Sequence, residues 1–172
     1  MFATALAAFF VVFFTAPTPA KANVVAEQRL IIPVLGVNAV VKNTGLEGDG
    51  RMAVPHNYTE VGLFNGGAKP GEKGSAVMGA HVDNGAFTPG VFKKLSSIKK
   101  GDPLYYINER GAVVSFKVTD IKVYNRNQKD TSAVFAHTDS SRLNLITCFG
   151  TWLPREHTYD KRLVVFTEKQ TV

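Results

Sequence analysis

From residue 30 to residue 168 the chain alternates short apolar-polar stretches with punctuation by Gly, Pro, Asn and Asp. Alternation puts successive side chains on opposite faces of an extended strand. The pattern predicts strands at Leu30–Val37, Ala39–Val41, Met52–Pro55, Ser75–His81, Leu104–Asn108, Ala112–Tyr124, Leu143–Cys148 and Arg162–Glu168. Pro33 cannot donate to a ladder and marks the first strand as an edge. Glu109-Arg110-Gly111 joins the fifth and sixth strands as a hairpin. Asn43–Arg51 and Gly66–Gly74 are Gly-rich turns and loops, and His56–Glu60, Arg126–Asp139 and Thr151–Lys161 are polar connections. Helical spacing shows at Val91–Ile98, where Val91 or Phe92, Leu95 and Ile98 share a face. Val134-Phe135 anchors a second short helix. About eight close-spaced strands and little helix specify a mostly antiparallel β-barrel or sandwich.

The N-terminus departs from this pattern. Met1–Ala16 is apolar almost throughout, and Pro17-Thr18-Pro19 ends any helix. The run is shorter than the ~20 residues a membrane span needs, and no basic residue precedes it. Ala20-Lys21-Ala22 resembles a small-x-small cleavage site. Two expectations follow for residues 1–22: a cleaved secretory signal, or a signal-anchor lacking its cytoplasmic end. Both imply export, to the outer face of the membrane if the segment is retained and to the medium if it is cleaved. Residues 23–172 form the expected globular domain, large enough for one sizeable core.

Charge narrows the partners. The 172 residues carry a formal net charge of +6, which suits a membrane surface or a polyanionic wall. No long Lys/Arg run, RNA-binding signature or zinc-finger spacing accompanies it, so nucleic acid is not the expected partner. The single cysteine forbids an intramolecular disulfide and a multi-cysteine metal site. Glu47, Asp49, Glu60 and Glu72 are scattered loop acids without the density of an oxygen-ligand cluster.

That cysteine carries the candidate chemistry. Leu143, Leu145 and Thr147 alternate with Asn144, Ile146 and Cys148, so the thiol closes a strand, beside a flexible turn at Gly150. A thiol placed there can face a substrate, whereas one in mid-strand usually packs as a small hydrophobe. His81 ends an earlier strand and Arg162 begins the strand that follows the cysteine. Consecutive antiparallel strands bring Cys148 and Arg162 together; the barrel must bring in His81. A thiolate, an imidazole and a guanidinium together suit acyl transfer: attack on a carbonyl, proton transfer at the leaving amine, and charge stabilisation by a fixed fork of donors. His56, His137 and His157 are rival bases in polar loops, and Asp83 and Asp139 are secondary candidates for orienting an imidazole. An exported binding barrel with an inert thiol fits the same pattern; alkylation of Cys148 separates the two readings. A hydrolytic cysteine peptidase also fits, although His81 precedes Cys148, the reverse of the papain-like order.

Leu145-Ile146-Thr147-Cys148, Val77-Met78-Gly79-Ala80-His81 and Arg162-Leu163-Val164-Val165 resemble, in that functional order, the Cys, His and Arg motifs of sortases. Asn144 stands where the first Thr of the cysteine motif is common, and Ala80 separates Gly79 from His81 where the family has Gly-His. Arg29–Pro33, Met52–Pro55 and Val91–Leu95 followed by Gly101-Asp102 add secondary matches, and the resemblance spans about Gln28 to Glu168. The His-Val-Asp-Asn continuation and the lack of long insertions resemble the class E or class F branch. The resemblance implies an eight-stranded sortase-type β-barrel with one or two short helices. It implies a transpeptidase that cleaves a Leu-Pro-x-Thr-Gly-like sorting signal after Thr. Cys148 would form the thioester, with His81 and Arg162 completing the catalytic set. An amine of a peptidoglycan precursor or a pilin would resolve it. The resemblance implies that Thr147, beside the thiol, positions the substrate; Trp152, in the following loop, is expected either to line the substrate groove or to serve as a surface anchor. No cofactor or metal is implied.

Overall fold

Pro33 sets the first corner of the fold. The computed structural model describes residues 25–84 and 88–171, and the expectations for residues 1–22 lie outside them. β1 (Arg29–Ile32) stops before Pro33, Pro33–Leu35 makes a 3-10 turn, and Gly36 at φ 68° turns the chain into β2 (Val37–Thr44). Proline suits the first residue of such a turn because its missing N–H is unpaired there anyway. Leu30–Val37 is therefore a tight hairpin corner and not one edge strand. Nor is β1 an edge, since it pairs with β2 on one side and with β5 (Pro103–Ile107) on the other.

The remaining strands are β3 (Glu60–Phe64), β4 (Gly74–Gly79), β6 (Val113–Asn125), β7 (Ser141–Leu153) and β8 (Thr158–Lys169). They close a barrel in the order β1-β2-β3-β4-β7-β8-β6-β5. All pairings are antiparallel except β2 with β3 and β4 with β7. The eight-stranded, mostly β expectation holds, but the third strand is a different segment. Met52–Pro55 contributes only an isolated bridge from Met52 to Leu46, and β3 takes its place. The expected helix at Val134-Phe135 is a turn, and Val91–Ile98 holds only the 3-10 turn Leu95–Ser97.

Alternation divides the strands into two apolar faces. Ala76, Met78, Leu143, Leu145, Leu163 and Val165 point into the barrel with the buried Phe92 and Leu95. Val77, Val164 and Phe166 lie on the outer face of β4 and β8, where they pack with Val134, Met52 and Ile146. By the same period of two, His81, Cys148 and Arg162 belong to that outer face.

β7 does not end at Cys148. It continues to Leu153, with a register shift between Phe149 and Trp152. Gly150, at φ 90°, forms this bulge, and the Asp160 carboxylate fills the place of its Cβ while accepting the Thr151 N–H at 2.6 Å. A bulge adds a residue and re-aims the strand without ending it. The expected Thr151–Lys161 loop is accordingly mostly hairpin, with β8 starting at Thr158 and Arg162 lying four residues inside it.

Candidate active site

Strand register assembles the three candidate residues. Cys148 lies directly opposite Arg162 in the β7–β8 pair. β4 runs parallel to β7 with Gly79 beside Ile146, and the Ala80 N–H extends the ladder by donating to the Ile146 carbonyl at 3.3 Å. Carried two residues further, that register brings His81 alongside Cys148. His81, Cys148 and Arg162 thus form a row across three neighbouring segments on the outer face.

Each member of the row is held by a distinct device. The His81 Nε2 lies 2.9 Å from the Pro55 carbonyl, which fixes it as the donor nitrogen. The imidazole packs against the Tyr58 ring with centroids 4.5 Å apart. The backbone of His81 is seated by Phe92, whose N–H donates to the His81 carbonyl at 3.0 Å. Gly90 permits that approach, because a Cβ there would fall on the same carbonyl. Gly79 is needed for a similar reason: a Cβ would press on Val54 at 3.0 Å and Met52 at 3.4 Å, where the Met52–Val54 segment crosses β4.

Arg162 donates from Nη1 to the Tyr159 carbonyl at 2.9 Å and the Lys161 carbonyl at 2.8 Å, and from Nη2 to the Thr158 hydroxyl at 3.2 Å. Among the described residues its Nε–H and second Nη2–H have no acceptor, which leaves a fork for an incoming oxygen. Burial lowers the guanidinium below its usual range, and the Cys148 charge acts in the opposite direction. Cys148 itself is half-buried and unpaired. The site can therefore bring a thiol, an imidazole and a partly desolvated cation to one carbonyl, the requirements of acyl transfer.

Residues 30–170 match the Sortase domain family. The chain belongs to the sortase family. Sortases of several classes share its fold. Sortase C-1 from Actinomyces oris is 24% identical with a TM-score of 0.66, over 84% of this chain and 74% of that one. A lid mutant of sortase A from Corynebacterium diphtheriae is 20% identical with a TM-score of 0.66, over 85% and 70%. Sortase C from Clostridium perfringens, solved with the C-terminal cell wall sorting motif, is 23% identical with a TM-score of 0.64, over 84% and 70%. No curated protein matches the sequence. Family and fold make the chain an enzyme of the cysteine transpeptidase kind.

The other expected site residues fall in different places. Thr147 points into the barrel, is 5% exposed, and donates its hydroxyl to the Ala80 carbonyl at 2.8 Å. This geometry makes it a staple between β7 and the residue before His81, not a surface facing substrate. Trp152 is half-buried past the bulge, edge-on to Tyr159 with centroids 5.2 Å apart. His157 sits exposed in the β7–β8 turn at φ 49°. His137 lines a separate 280 Å³ cavity with Phe64 and Phe135. Asp139 pairs at the surface with Lys73 at 3.6 Å.

Two side chains near the row make contacts that the sequence did not show. Asn144, fully buried, donates to the Val134 carbonyl at 2.7 Å and pins the β6–β7 connection onto the outer face. Tyr159 donates to Asp83 at 2.7 Å, and burial together with that carboxylate pushes its phenol up to about 12. Tyr159 lies in a polar stretch of the sequence, where only its size and its nearness to Arg162 set it apart.

Proposed function

We propose that this sortase cleaves a Leu-Pro-x-Thr-Gly-like C-terminal sorting signal after Thr and joins the new end to an amine of a peptidoglycan precursor or a pilin. The row of His81, Cys148 and Arg162 on one outer face carries the proposal. The Cys148 thiolate attacks the Thr carbonyl carbon, and the electron pair moves to oxygen. The free N–H groups of Arg162 meet that oxyanion. Collapse breaks the C–N bond, His81 delivers its proton to the departing Gly amine, and a thioester remains. The acceptor amine then attacks, gives a proton to His81, and expels the thiolate with a new amide. Water in place of the amine yields hydrolysis by the same route.

Ile146, partly buried on the outer face two residues before Cys148, suits the Leu-Pro end of such a signal. The C. perfringens relative solved with a sorting motif supports this class of ligand. The His-Val-Asp-Asn segment supports a class E or class F assignment. An apolar N-terminal segment and a net charge of +6 support work at the outer face of the membrane. The deciding experiment incubates the protein with a quenched Leu-Pro-x-Thr-Gly peptide library, with and without added amines, beside Cys148→Ala and Arg162→Ala. A Cys148-dependent acyl-enzyme mass that converts to an amide product is expected. An unmodified protein whose Cys148 also resists iodoacetamide would sink the reading.

A further inference from the structure

The catalytic row is built from two separate pieces of chain. Cys148 and Arg162 share the β7–β8 hairpin, whereas His81 sits on the segment leaving β4. Among the described residues the β4–β7 backbone ladder ends with the Ala80 N–H on the Ile146 carbonyl, one residue short of His81. Beyond that point a side-chain bond spans the two pieces: the Tyr159 hydroxyl donates to Asp83 Oδ1 at 2.7 Å.

Both ends of this bond are anchored to the catalytic set. Asp83 follows His81 by two residues, its side chain is only 10% exposed, and its Oδ2 accepts Lys93 Nζ at 2.6 Å. Lys93 is next to Phe92, the residue whose N–H seats the His81 carbonyl. At the other end, the Tyr159 carbonyl accepts an N–H from Arg162 at 2.9 Å, and its ring meets Trp152 across the hairpin. One tyrosine thus touches Arg162 through its backbone and the histidine segment through its hydroxyl.

We propose that the Tyr159–Asp83 hydrogen bond is a strut that sets the separation of the His81 imidazole from the Cys148 thiol, which makes Tyr159 a positioning residue for acyl transfer. This role rests on the reaction proposed above. A shift of about 1 Å between reacting groups costs on the order of 10²-fold in rate, so a partial loosening should appear in kcat and leave KM nearly unchanged.

The test is a double-mutant cycle on Tyr159→Phe and Asp83→Ala, with Asp83→Asn as the conservative variant. Asn keeps a hydrogen bond to the phenol in either amide orientation while losing the charge. Two readouts are taken: kcat and KM for amide formation from the sorting-signal peptide, and the rate at which iodoacetamide labels Cys148. Melting temperature reports folding. The strut predicts that each single variant lowers kcat and labelling about tenfold, with KM within about twofold. The double variant falls no further, and Asp83→Asn stays near wild type. Unchanged single variants, effects that multiply in the double, or an Asp83→Asn as poor as Asp83→Ala would overturn it; the last outcome would assign the effect to charge. If Tyr159→Phe does not fold, the comparison of Asp83→Asn with Asp83→Ala carries the test. A labelling cycle that couples in a protein making no amide product would keep the strut and strike out the proposed reaction. Amide formation unaffected across all variants would do the reverse.

Discussion

Arg162 is held by its own strand before any substrate arrives. Two carbonyls and a hydroxyl take three of its N–H groups, and the rest form the fork that faces outward. Lysine keeps the charge but cannot satisfy those acceptors and a substrate oxygen together. Arg162→Lys should lower kcat/KM for amide formation by about 10²-fold, the scale of losing an oxyanion donor, with little change in melting temperature. Gly90→Ala tests the seat of His81. The new methyl falls on the His81 carbonyl, so the imidazole must move by on the order of 1 Å, and kcat should drop by about 10²-fold. Circular dichroism of that variant should stay β-rich. Tyr159 gives a pH signature. Its phenol is raised to about 12 from an ordinary 10.0, so the folded protein holds this proton more tightly than the unfolded chain. The resulting stabilisation is complete below pH 10 and is lost as pH rises toward 12. Tyrosinate absorbance should show a late-titrating tyrosine that Tyr159→Phe removes.

At the level of elements, the β6–β7 connection depends on one buried amide. Asn144→Ala leaves the Val134 carbonyl without its donor and should cost about 1–3 kcal/mol in urea unfolding. It should also raise KM for the peptide, because Val134 packs on the apolar outer face next to the row. Much of this architecture is written in alternation. The sequence pattern of β7 already separates Thr147 from Cys148 onto opposite faces, and the structure keeps that separation. It was the family resemblance, not the pattern, that placed Thr147 against substrate. The pairing of Cys148 with Arg162 also followed from strand order. Three things were hidden, each for a physical reason. β3 has three successive buried residues, Val61, Gly62 and Leu63, so it shows no alternation. The bulge at Gly150 looks like a chain break because a glycine at positive φ serves both purposes. The Tyr159–Asp83 contact joins residues 76 positions apart, and no local spacing encodes it.

At the scale of the whole molecule, the described strands close a barrel and the sequence carries an excess of positive charge. The sum of +6 should draw it to anionic surfaces, and that attraction is screened over about 8 Å at physiological salt. Binding of the protein to vesicles rich in anionic lipid, or to purified wall polyanion, should fall steeply as salt rises from about 0.05 to 0.5 M. Among the described residues no helix is long and apolar enough to cross a membrane.

The parallel pairing of β4 with β7 has a kinetic consequence. The Thr147–Ala80 bond closes a loop of 67 residues, whereas Cys148 and Arg162 meet through a local hairpin. Long loops are closed late and hairpins form early, because closure entropy must be met before distant contacts repay it. The folding chain will therefore join its thiol to its guanidinium before the β4–β7 seam brings the imidazole alongside them. Until that seam closes, the thiol has no imidazole beside it. In the reaction proposed above, the docking of β4 onto β7 and the onset of acyl transfer thereby become a single event.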